Sequence, residues 1–161
     1  MSDSSFADEQ QIDQAQTQIL LGEQHRRDGG FDAAIECYTN VIVSNLPGGA
    51  ERNLLLYHAH ACRGAALIEK GNLDAALDDL TIAIQIDPER AIGYYNRGVA
   101  WERKGQSEQA LDDYARAIRL DPNLARDEPF DGEELLDDVA DEDLDDDLQV
   151  DLQDEPVEDD A

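Results

Sequence analysis

Apolar residues in the middle of the chain recur at intervals of three and four, the spacing of one helix face and not the alternation of a strand. Ala76, Leu80, Ala83 and Ile84 form one such row, and Ala110, Tyr114, Ala117 and Ile118 form another. The stretches that carry them are nearly the same: residues 76–88 read ALDDLTIAIQIDP and residues 110–122 read ALDDYARAIRLDP. The interval is 34 residues, and 57–90 aligned on 91–124 gives 13 identities, among them Arg63/Arg97, Gly64/Gly98, Lys70/Lys104, Gly71/Gly105 and Pro88/Pro122. A fixed period of that length predicts one supersecondary unit stacked on copies of itself.

Each unit divides into two helices. Lys70-Gly71 and Lys104-Gly105 read as helix stops, with glycine supplying the left-handed conformation that closes the last turn. The Asp-Pro pairs at 87/88 and 121/122 end the second helix, because proline disfavours a helical residue before it. A looser copy precedes them: DGGFDAAIECYTNVI (28–42) lies over KGNLDAALDDLTIAI (70–84), and Leu21-Gly22 takes the place of Arg63-Gly64. Gly22 and Gly64 are 42 residues apart, and the surplus over the period falls around PGGAERNLLL. It predicts a lengthened helix from Ala50 to Lys70, about 30 Å long, whose extra turns project beyond the stack.

These residues resemble the tetratricopeptide repeat, with its pattern W-x2-L-G-x2-Y, then A-x3-F, then P. The third copy has Tyr94, Gly98, Trp101, Ala110, Tyr114 and Pro122 in place, with Arg97 where leucine is usual. The second has His60, Arg63, Gly64, Leu67, Ala76, Leu80 and Pro88; the first has Gln18, Leu21, Gly22, His25, Ala34 and Tyr38, its proline displaced to Pro47. The resemblance implies an all-α fold: a helical-hairpin solenoid of three repeats (about 15–48, 57–90 and 91–124) wound as a right-handed superhelix. Small residues at Gly64, Gly98, Ala76 and Ala110 let helices approach, while Leu67, Leu80, Trp101 and Tyr114 fill the space between. Trp101 is therefore expected in the core.

The resemblance further implies a concave groove, lined by the first helix of each pair, that receives a peptide or helix of another protein. By spacing, its lining is Ile19, Glu23, Arg26, His58, Ala61, Cys62, Ala65, Ile92, Tyr95, Asn96 and Val99. Chaperone-binding members of the family hold a peptide's carboxylates in a clamp of Lys, Asn and Arg. The matching positions here are Ile19, Glu23, Cys62, Ile92 and Asn96. The clamp is absent, and Glu23 would repel a carboxylate, so acidic C-terminal peptides of heat-shock chaperones are not expected as ligands.

Charge sets the domain boundary and narrows the partners. The net charge is −27, yet residues 127–161 hold 19 acidic residues and no Lys or Arg, so the preceding 126 residues carry only −8. The expected organisation is a flexible 1–8, a folded 9–126 and a largely disordered acidic tail, 127–161. Such a charge opposes nucleic acid and anionic membranes and favours basic partners. Neither an 18-residue apolar run nor a signal-peptide pattern occurs, and the cytoplasm is the expected compartment. Cys37 and Cys62 lack CxxC spacing and read as reduced, packed thiols.

No catalytic, metal or cofactor chemistry is expected. His58 and His60, two apart, fall on different helix faces, and GxSxG, GxxxxGK and HExxH do not occur. Asp141, Asp143 and Asp145 alternate as in a calcium loop, but Asp146 stands where glycine must turn the chain and Leu152 where a bidentate Glu is needed. Two functions from different classes remain: a scaffold whose groove captures a peptide or amphipathic helix, and a small chaperone or escort for a basic protein, shielded by the acidic tail. Leu136, Ala140, Leu144, Leu148 and Leu152 recur every four residues. From them follows a further expectation, that the tail docks weakly on the groove and competes with the external ligand.

Overall fold

A computed structural model describes residues 2–125 and, within them, six α-helices: α1 (Ser2–Arg27), α2 (Phe31–Val43), α3 (Ala50–Glu69), α4 (Leu73–Ile86), α5 (Ala91–Arg103) and α6 (Ser107–Leu120), closed by a 3-10 turn at Pro122–Ala125. The expectations placed on the acidic tail lie outside the described residues. Consecutive helices pair as α1/α2, α3/α4 and α5/α6; α2 packs on α3 and α4 on α5, while α1, α3 and α5 touch in turn as an inner row. This is the helical-hairpin solenoid expected from the period.

The three hairpins turn in the same way. Gly29, Gly71 and Gly105 have φ of 78°, 79° and 80°, a conformation that only glycine adopts without strain. In each copy the next residue's N–H bonds back five residues, Gly30 to His25 O (2.8 Å), Asn72 to Leu67 O (2.9 Å) and Gln106 to Trp101 O (2.9 Å). These bonds satisfy carbonyls that the helix end leaves unpaired.

Within each hairpin the helices cross at a glycine. A Cβ on Gly22 would lie 2.6 Å from the Tyr38 ring, one on Gly64 2.7 Å from Leu80, and one on Gly98 2.7 Å from Tyr114. Trp101 packs against a cluster of Ile68, Ala76, Leu77, Leu80 and Ala100, as the sequence suggests.

Two features differ from expectation. Helix α1 starts at Ser2, so it runs through the residues expected to be a flexible N-terminus. The extra turns of α3 do not project beyond the stack: Leu55 and Ala59 are buried with Ile12, Ala15 and Ile19 of α1, Val41 of α2 and Leu46 of the connection. Ile12, Ala15 and Ile19 of α1 and Leu55 and Ala59 of α3 bury one another's apolar side chains, whereas Phe6 in the first turns of α1 is 62% exposed.

Candidate functional site

The inner row of helices carries the candidate groove residues, and they divide by burial. Ile19 and Ala61 are buried, Ile19 in the α1–α3 core. Glu23, Arg26, His58, Cys62, Ala65, Tyr95, Asn96 and Val99 are half-buried, and Ile92 is 43% exposed. Glu23 and Arg26 of α1, Cys62 of α3 and Tyr38 of α2 come together as one electrostatic group. Burial and then the Glu23 charge push the Cys62 thiol up to about 11, so it stays protonated at neutral pH. His58 stands edge-on to Tyr57 at 5.6 Å between ring centres. Burial and then the Arg90 guanidinium hold His58 below the ordinary imidazole range against the pull of Glu23, so it is neutral at pH 7. Arg26 Nε and Tyr38 Oη are buried and, among the described residues, no partner meets them at full hydrogen-bond geometry, although the two side chains lie close enough to influence each other.

On α5, Val99 packs against the core, and the Tyr95 ring meets Tyr114 of α6 at 5.5 Å. The inner surface thus runs from charged residues on α1 to an aliphatic and aromatic patch around Ile92 and Tyr95. Between α1 and α2 a separate cleft of about 340 Å³ is lined by Gln11, Gln14, Gln18, Asn40, Ser44 and Asn45 with Ala15 and Val41. None of the groove residues lines it.

Behind the inner surface lie two polar clamps that sequence reasoning missed. Arg63 of α3 grips Asp79 of α4 through Nε–Oδ2 and Nη2–Oδ1, both 2.7 Å, and its Nη1 donates to Thr39 Oγ1 of α2 at 3.0 Å. Arg97 of α5 repeats this on Asp113 of α6 (2.7 and 2.8 Å), with Thr81 of α4 at 3.4 Å. His60 Nδ1 adds a bond to Asp79 Oδ1 at 2.9 Å. Burial alone would raise the Asp79 carboxyl, but the bonds and charges of Arg63 and His60 outweigh it and hold the group below its ordinary value. The signal was available: Arg followed sixteen residues later by Asp occurs at 63/79 and again at 97/113. In the first repeat the same two positions are Leu21 and Cys37, so the polar pair is replaced as a pair.

No helix among the described residues is long and apolar enough to cross a membrane. Two family models match the chain, one described as tetratricopeptide repeat over residues 91–124 and one as TPR repeat over residues 64–105. Among solved structures, the second TPR of Spaghetti (RPAP3) bound to the HSP90 peptide SRMEEVD is similar at 24% identity and a TM-score of 0.61, covering 71% of this chain and 98% of that one. The first TPR domain of the human RPAP3 protein is similar at 22% identity and 0.63, with 80% and 91% covered. The second TPR domain of human RPAP3 in complex with the HSP70 peptide SGPTIEEVD is similar at 25% and 0.55, with 71% and 87% covered. No curated protein matches the chain. Because the family matches fall on the repeats whose turns, crossings and clamps recur in space, and the looser first hairpin repeats the same turn and crossing, residues 64–124 are tetratricopeptide repeats and the described helices have the fold of a tetratricopeptide repeat solenoid.

Proposed function

We propose that this chain is a non-catalytic cytoplasmic interaction module that holds a peptide or helix of another protein along α1, α3 and α5. The observation that carries the reading is the inner surface itself. It leaves Ile92 exposed beside half-buried Tyr95 and Asn96, and ends on the Glu23–Arg26 charges. An apolar anchor next to a few oriented polar groups is how helical grooves bind amphipathic segments. That similar domains are bound to HSP90 and HSP70 peptides supports a peptide-binding role.

The acid-ended peptides in those complexes do not suit this surface. At the clamp positions Ile19 is buried, Glu23 is anionic and the Cys62 thiol is protonated, leaving Asn96 as a neutral donor. The ligand that fits is a segment with an apolar face for Ile92 and a basic residue for Glu23. The escort reading rests on the composition of residues 127–161, and salt separates the two, since binding by an exposed polyanion is screened while apolar docking is not.

The test is affinity capture with the full-length chain and with an Ile92→Asp/Glu23→Lys variant of unchanged helicity, each at low and high salt. A partner held by the wild type at both salts and lost by the variant supports the groove. A partner that the variant retains, or that high salt alone removes, overturns it.

A further inference from the structure

The second helices α2, α4 and α6 present the same positions to whatever packs on them next, and among the described residues only the last is followed by a short 3-10 turn and no further α-helix. On α4, Leu77 and Ile84 are 7% and 9% exposed because α5 covers them. Leu77 lies in one cluster with Ala100, and Ile84 Cγ1 is 3.1 Å from where a Cβ on Gly93 would stand. On α2 the equivalents Ile35 and Ile42 are partly buried against α3. One period on, Leu111 and Ile118 of α6 are 39% and 38% exposed. A solenoid's terminal face is ordinarily polar for solubility, so an apolar stripe there marks a surface meant to be covered.

The charges at this face say what would cover it. Asp32 at the start of α2 pairs with Lys70 at the end of α3, and Asp74 at the start of α4 pairs with Lys104 at the end of α5. Glu108 occupies the same position on α6 and makes no ion pair among the described residues. The incoming helix at each inner junction therefore brings apolar side chains and a lysine at its C-terminal end. Residues 127–161 contain no Lys or Arg and cannot supply that cation. A second copy stacked end to end would bring Asp28, the equivalent of Lys70 and Lys104, onto Glu108 with the same sign of charge.

We infer that the stripe of Glu108, Leu111 and Ile118 on α6 is a docking surface, independent of the groove, for a helix of another protein that carries an apolar face and a lysine or arginine in its last turn. The apolar residues supply affinity, and the Glu108 pair sets direction and register.

The test titrates the full-length protein, by fluorescence anisotropy, with a labelled, side-chain-stapled helical peptide of residues 90–104, the segment that covers α4. A twin peptide carries Lys104→Glu. The lysine peptide is expected to bind about two- to fivefold more tightly than its twin, the range of an exposed ion pair. Glu108→Lys should reverse that preference. Leu111→Asp/Ile118→Asp, with its circular dichroism unchanged, should weaken both peptides at least about tenfold, as loss of a buried anchor does. Four results would each overturn the inference: no binding of either peptide, no effect of the Asp pair, no reversal by Glu108→Lys, or displacement of the probe by a synthetic peptide of residues 127–161. Concentration-dependent dimers that the Asp pair abolishes would overturn it too, by making a second copy the occupant.

Discussion

Arg63 and Asp79 meet at two points, Nε to Oδ2 and Nη2 to Oδ1, each at 2.7 Å, with the carboxylate almost wholly buried. Because Arg63 also reaches Thr39 on the preceding helix, one side chain ties α2, α3 and α4 together. The pair therefore fixes the junction between repeats as well as the hairpin. Its worth has to be judged by how it is broken, since a buried charge left alone costs more than an apolar pair in its place.

Arg63→Leu should accordingly destabilise the fold by about 3 kcal/mol, the lower end for removing one member of a buried ion pair, because His60 still bonds Asp79. The double change Arg63→Leu/Asp79→Cys copies the Leu21 and Cys37 of the first repeat and should recover more than half of that loss. Urea unfolding followed by circular dichroism measures both. A double variant no more stable than the single one would show that the first repeat's apolar pair is not an equivalent solution.

Acid should act on the same pair. The Asp79 carboxyl is held below its ordinary value of 3.8, so on acidification the unfolded chain takes up this proton before the folded one does. The stability it contributes is complete above that value and is lost as pH falls through its lower folded value. Asp79→Asn should lose this contribution already at pH 7 and show a shallower decline in stability below about pH 4. Parallel acid limbs in the two proteins would contradict the assignment.

What could be read from the chain beforehand depended on one residue type at one position. Gly71 and Gly105 announce their turns because few other residues adopt a φ near 80°, and Gly64 and Gly98 announce their crossings because a Cβ there would strike Leu80 and Tyr114. Features that arise only when two distant segments meet were not visible in the same way. Arg63 and Asp79 are sixteen residues apart and become neighbours when the hairpin closes, so their recurrence at 97 and 113 looked like two separate identities. The start of α1 was hidden for a related reason. Residues 2–8 have no apolar row of their own, and the helix is anchored by Ile12, Ala15 and Ile19 against Leu46 and Leu55. For the groove, spacing identified the helices but not the depth of each side chain, which is why Ile19 and Ala61 lie beneath the surface rather than on it.

Gly98→Ala tests the crossing. The added methyl would sit 2.7 Å from Tyr114 Cε1 and 2.8 Å from Cδ1, and the ring is held by a bond from Tyr114 Oη to Glu102 Oε2 at 2.8 Å. Overpacking of this kind costs about 1 to 3 kcal/mol, against about 1 kcal/mol gained from replacing a helical glycine by alanine. The expected result is a lower thermal midpoint. An unchanged or higher one would mean that the α5–α6 crossing opens at little cost.

The thiols report on packing. Cys37 is buried, burial first and then the Glu36 charge raising its thiol, and Cys62 is pushed up to about 11. Thiolate is the reactive form, so both should alkylate slowly in the native protein at pH 7 and quickly once urea unfolds it. Rapid native labelling of Cys62, located by mass spectrometry, would show that the α1–α3 contact opens under native conditions.

Tyr57→Phe tests the joint between the second and third repeats. Tyr57 is fully buried, and the N–H of Gly93, in the first turn of α5, donates to its hydroxyl at 3.0 Å. A first-turn N–H has no partner within its own helix, so the tyrosine serves as a cap supplied by the preceding repeat. The approach is close because Gly93 has no side chain: a Cβ there would lie 3.1 Å from Ile84 and 3.3 Å from the Tyr57 oxygen itself. Removing that oxygen leaves the N–H buried and unpaired at a cost of about 1 to 3 kcal/mol, while the ring keeps its apolar contacts. Hydrogen exchange should then be faster at Gly93 and its α5 neighbours than in α1 and α2, because stability in a solenoid is set by nearest-neighbour interfaces. A uniform acceleration over all six helices would instead mean that the three repeats unfold as one unit and that Tyr57 contributes to global stability alone.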